Sequence, residues 1–85
     1  MHIEATNTFK RFYKKLDREV REQVKKTLNC FKGNPYHPSL GNKKITGQKN
    51  IYEIRVSRNI RITYSKIGDT AVLRKVGTHD ILSNP

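Results

Sequence analysis

Apolar and polar side chains alternate through residues 51 to 65, IYEIRVSRNIRITYS, closely enough to set two strands and their register. Alternation sends Tyr52, Ile54 and Val56 to one face of the first strand and Glu53 and Arg55 to the other. In the second strand Ile60, Ile62 and Tyr64 form the apolar set, while Arg61 and Thr63 point away from it. The two apolar sets share a face only if Val56 pairs with Ile60. That pairing predicts a hairpin over a three-residue loop, Ser57, Arg58 and Asn59, with Asn59 in the left-handed region. A two-residue loop turns Arg61 to the core side, a slip resisted wherever one face is buried. Arg55 and Arg61 then become cross-strand neighbours, a like-charge pairing that is destabilising unless an anion relieves it.

A helical period governs the chain before residue 34. His2 to Thr6 reads as a short strand, with Asn7 or Thr8 as the cap of a first helix whose Phe9, Phe12, Tyr13 and Leu16 share one face. Asp17 caps a second helix, in which Val20, Val24, Leu28 and Phe31 form the buried stripe up to Gly33. Two prolines and two glycines make GNPYHPSLG, residues 33 to 41, a surface loop. Strands fill the remainder: an edge piece at 43–45, then about 51–57, 60–67 and 71–76, with Gly68 and Asp69 at the second turn. Two registers stay open there. A two-residue turn sets Arg74 on the Arg55 and Arg61 face, and a three-residue turn sets Val72 and Val76 with the core. The order predicts a single α+β domain over 1–85: an N-terminal short strand and a two-helix hairpin packed on one face of a small antiparallel sheet, the other face open.

Composition narrows the partner. Eighteen Lys and Arg against seven Asp and Glu give a net charge of +11 on 85 residues, spread evenly along the chain. That balance suits a polyanion such as nucleic acid or a ribosome, with a membrane surface the weaker reading. No apolar run has the length of a spanning helix and MHIEATNTFK shows no signal segment, so a cytoplasmic location is expected, with no membrane partner. The single Cys30 agrees with a reducing compartment. No Cys and His spacing fits zinc, no carboxylate cluster fits magnesium and no glycine-rich loop opens a helix, so neither metal nor small-molecule cofactor is expected.

Residues just past the last strand return to the end of the sheet where Arg61 begins its strand, and His79, in VGTHDIL, falls there. Histidine is the side-chain type that changes charge near neutrality. Two arginines and one histidine suit metal-free cleavage of RNA, whose 2′-hydroxyl is a built-in nucleophile: the arginines stabilise the pentavalent phosphorane and one group transfers a proton.

The helix segment DREVREQVKKTL, KKITG, YEIRVSRNIRITYS and the closing VGTHD together resemble the RelE/ParE toxin superfamily, and within it the RelE-like ribosome-dependent mRNA interferases of type II toxin-antitoxin systems. The resemblance covers nearly the whole chain. It implies a small toxin that enters the ribosomal A site, cuts mRNA there and is neutralised by a cognate antitoxin protein. By position it implies that Arg55 contacts the scissile region, that Arg61 stabilises the transition state and that His79 is the general acid. It implies a rim contact for Lys44, and Lys43, Arg58 and Arg74 complete the candidate RNA-binding set. The chain departs from many members after His79, where Asp80 and ILSNP replace a tyrosine or further basic residue, and the general base has no candidate. Two other readings share the composition: a ParE-like DNA gyrase poison, and a non-catalytic basic nucleic-acid-binding module. The module would carry aromatic stacking residues among its charges, whereas Tyr52 and Tyr64 are predicted to face the core.

Overall fold

Each period in the sequence becomes an element of the computed structural model, which describes residues 1–85. Strand β1 (His2–Ala5) leads into helices α1 (Asn7–Lys14) and α2 (Arg18–Gly33). A 3₁₀ turn at Pro38–Leu40 comes next, then β2 (Lys43–Lys44), β3 (Ile51–Arg55), β4 (Arg61–Ile67), β5 (Thr70–Gly77) and a closing 3₁₀ turn at His79–Ser83. The α+β order is the expected one, and the sheet runs β1-β5-β4-β3-β2. One pairing departs from a wholly antiparallel sheet. β1 lies parallel to β5, with Ile3 beside Ala71 and Ala5 beside Leu73. The intervening chain is long enough for such a crossover, and the pairing adds Ile3 and Ala5 to the helix side of the sheet.

That side holds the core. Phe9, Val24 and Phe31 of the helices are buried against Ile54, Ile62 and Leu73 of the sheet. Leu40 is also buried, and at about 1.5–3 kcal/mol for a side chain of this kind it anchors the proline-rich loop that precedes β2. α1 starts one residue earlier than expected. Thr6, not Asn7 or Thr8, is the cap: its Oγ1 accepts from the Phe9 amide at 3.0 Å and donates to the Arg74 carbonyl at 3.3 Å, tying the helix start to β5. Asp17 holds the cap position of α2, although its side chain makes no capping bond.

The first hairpin has the predicted register, Arg55 opposite Arg61 and Ile54 opposite Ile62, and the Val56 amide donates to the Ile60 carbonyl at 2.9 Å. Its loop does not use a left-handed Asn59; Asn50 is the only non-glycine residue with positive φ. The Val56 and Ser57 amides close the loop on the Ile60 carbonyl, and the Ser57 and Arg58 carbonyls also accept from the Arg61 guanidinium. In the second hairpin a two-residue turn, with Gly68 at φ +58°, pairs Ile67 with Thr70. A bulge then shifts the register between Thr63 and Tyr64, so that Tyr64 pairs with Leu73 but Thr63 with Lys75. Arg74 is the inserted residue. The bulge reconciles the two registers, because Ala71, Leu73 and Val76 all reach the core, which no unbroken alternation permits.

The far face of the sheet, expected to be open, is partly covered by residues beyond β5. The Thr63 hydroxyl donates to the Pro85 carbonyl at 3.3 Å, Arg74 Nε donates to the same oxygen at 3.1 Å, and Lys75 Nζ donates to the Asn84 carbonyl. Thr63 and Pro85 are both buried. A hydroxyl taken out of water needs a partner, and the Pro85 carbonyl provides it.

Candidate functional site

Two rows of side chains cross the far face, and the strand register dictates both. The first runs Arg55, Arg61, Gly77 and the second Lys43, Glu53, Thr63, Lys75. Gly77 controls the exit from β5. A Cβ there would stand 3.0 Å from Ile81 Cγ2, so glycine leaves room for the chain to fold back closely into the turn that starts at His79. His79 therefore leaves the sheet two residues beyond the neighbour of Arg61, at the end where Arg55 also lies, and it is exposed.

The two arginines are held differently. Arg55 is exposed and has no intramolecular partner. Arg61 keeps only 13% of its side chain exposed; its Nη1 donates to the carbonyls of Ser57 at 2.7 Å, Arg58 at 3.2 Å and Ile60 at 3.2 Å, and its Nε lies 3.8 Å from Glu53 Oε1. Their mutual repulsion is thus answered first from within the protein. Glu53, itself almost buried, is the residue that sequence reasoning left out of the site. The signal was present, since alternation puts Glu53 on the arginine face, diagonal to Arg61 across the ladder. The guanidinium is locked in place by its Nη1 and Nε contacts, and beside Arg55 it offers an anion a fixed charge next to a mobile one.

The remaining cationic candidates divide. Lys43 stands on the arginine face opposite Glu53, exposed. Lys44 points to the other face, opposite Tyr52, so the two lysines straddle the β2 edge. Arg58 is exposed at the hairpin tip. Arg74 is half-buried, with its Nε on Pro85 and its Nη1 3.3 Å from Ser65 Oγ, so it secures the segment that covers the face. The structure thus gathers Arg55, Arg61 and His79 at one end, with Arg58 and Lys43 at its border, and sets Lys44 and Arg74 apart. No group of three His, Cys, Asp or Glu side chains is placed to hold a metal, and no helix is long and apolar enough to cross a membrane.

On the helix side, burial pushes the Tyr64 hydroxyl up to about 12. That hydroxyl donates to Asn42 Oδ1 at 2.7 Å, and Asn42 Nδ2 donates to the Pro35 carbonyl at 2.9 Å, fixing the proline-rich loop against β4.

No protein-family model matches the chain and no curated protein is significantly similar to it. Solved structures are. The chain is similar to a protein in the RelB-RelE antitoxin-toxin complex from Methanococcus jannaschii, at 28% identity over 95% of both chains with a TM-score of 0.76. It is similar to one in the intact RelBE toxin-antitoxin complex of E. coli, at 25% identity over 91% of this chain and 94% of that one, TM-score 0.71. YafQ from E. coli has the same fold, with a TM-score of 0.77 at 15% identity over 94% of each chain.

Proposed function

We propose that this chain, similar along nearly its whole length to RelE toxins, is the toxin of a toxin-antitoxin pair, a ribosome-dependent mRNA endoribonuclease acting in the cytoplasm. The observation that carries the reading is the register that sets Arg55 beside Arg61 and leads from Gly77, the next residue in that row, to His79. A phosphate seated between Arg55 and Arg61 puts its negative oxygens against two guanidinium groups. The 2′-hydroxyl oxygen attacks the phosphorus and gives its proton to water, the 5′-oxygen leaves, and the charge that accumulates on the phosphorane is stabilised where the arginines already stand. His79 donates the proton taken up by the 5′-oxygen, leaving a 2′,3′-cyclic phosphate upstream and a 5′-hydroxyl downstream. The ribosome supplies what so small and shallow a face lacks, a grip that holds the codon in line for attack.

A cognate antitoxin is the second partner. Complexes of similar proteins with RelB support it, and an acidic or amphipathic segment covering the cationic face would neutralise the charge that binds RNA. The test is primer extension on an mRNA translated in a cell-free system with the protein added. Breaks phased with codons, absent when ribosomes are omitted, are expected. Rapid digestion of naked RNA would overturn ribosome dependence, and intact mRNA in the translating system would overturn the nuclease.

A further inference from the structure

At the opposite end of the sheet, on the helix side, three tyrosines and two lysines lie outside the site described above. Tyr52 stacks on Tyr64 with ring centroids 5.3 Å apart and planes 18° from parallel. Tyr36 is 69% exposed, and Lys66 Nζ stands 3.5 Å from its hydroxyl. Lys44 is the cross-strand neighbour of Tyr52, and neither Lys44 nor Lys66 has an ion-pair partner.

An exposed aromatic in a loop is commonplace. Tyr36 is unusual in that the loop backbone carrying it is pinned: Pro35 precedes it, the Pro35 carbonyl is bonded to Asn42, Pro38 starts the next turn and buried Leu40 anchors it. An exposed ring on a pinned backbone loses less freedom when a ligand stacks on it. Two unpaired ammonium groups lie on the same side of the sheet. A flat apolar surface flanked by cations matches the alternation of base and phosphate along a single-stranded nucleic acid. A β2 edge with Lys43 on one face and Lys44 on the other gives such a strand a basic path between this patch and the arginine face.

We propose that Tyr36, with Lys66 at its hydroxyl and Lys44 further along the same side of the sheet, is a base-stacking subsite for single-stranded RNA, taking a nucleotide that flanks the pair at the arginine face. The inference deepens the nuclease reading by naming where the neighbouring RNA lies. It differs from the sheet-face stacking of RNA-binding modules, because the stacking ring comes from a loop while Tyr52 and Tyr64 stack on each other on the sheet.

The experiment measures binding of a single-stranded oligouridylate carrying one 2-aminopurine, without ribosomes, by anisotropy and by quenching of the probe. Tyr36→Ala is expected to weaken binding about 5- to 150-fold, the range for one lost base stack, and to abolish quenching. Tyr36→Phe is expected to retain both. Lys66→Ala should weaken binding and lower the salt slope by about one. Because Tyr36 and Lys66 are exposed, all three variants are expected to fold, and circular dichroism checks this. Binding and quenching by Tyr36→Ala equal to the parent protein would overturn the proposal, as would no binding by the parent. Tyr36-dependent binding together with intact mRNA on translating ribosomes would overturn the nuclease and support the subsite.

Discussion

Arg55 and Arg61 occupy the same row of the sheet, yet neutralising each is expected to move stability in opposite directions. Arg61→Gln removes a guanidinium that is 13% exposed, a bond of 2.7 Å to Ser57, two weaker carbonyl contacts and the cation 3.8 Å from Glu53. Hydrogen bonds involving a charged group contribute about 1.5–3 kcal/mol, and relief of repulsion from Arg55 returns about 0.2–1 kcal/mol. The net loss is about 0.5–2.8 kcal/mol, or about 2–20 °C in Tm for a domain of this size. Arg55→Gln removes an exposed cation with no partner, so only the relief remains, a gain of a few tenths to about 1 kcal/mol. Thermal and urea denaturation followed by circular dichroism measure both. A cycle with Glu53→Gln tests the pairing, since two near-buried partners in contact should couple by about 0.5–3 kcal/mol. Both arginine variants should lose mRNA cleavage, which separates their catalytic from their structural role. An Arg61→Gln protein that melts at or above the parent would refute the paired arrangement and return Arg61 to a strained, purely functional cation.

Two further expectations concern protons. His79→Ala should cleave ribosome-bound mRNA about 10²- to 10⁴-fold more slowly in single turnover while binding normally, with an altered pH profile; a rate within a few-fold of the parent and an unchanged profile would remove His79 from catalysis. Tyr64, raised from 10.0 in the unfolded chain to about 12 by burial, stays protonated in the folded protein while the unfolded chain sheds its proton. The stability from this group is therefore whole below pH 10 and lost between about pH 10 and 12. Urea denaturation across that range should show the parent losing more than Tyr64→Phe, and parallel declines would count against the shift.

Local rules of the chain determined the first hairpin. Alternation and loop length leave one register that buries Ile54 with Ile62, so Arg55 opposite Arg61 followed from residues within ten positions of each other. The helices were legible for the same reason, as a period of 3.6 needs only its own stripe. The second hairpin was legible only in part, because the bulge at Arg74 breaks the alternation, and a broken pattern does not say where it breaks. Tertiary structure alone decided the rest. The parallel pairing of β1 with β5 joins residues nearly seventy positions apart, and no local pattern encodes direction over that distance. Likewise Arg61 reads from sequence as an unrelieved charge; it is the folding of the loop carbonyls and Glu53 around one guanidinium that makes it a fixed one. The cover over Thr63 has the same origin: alternation marks a face as polar, but which polar groups become buried depends on what the rest of the chain lays across them.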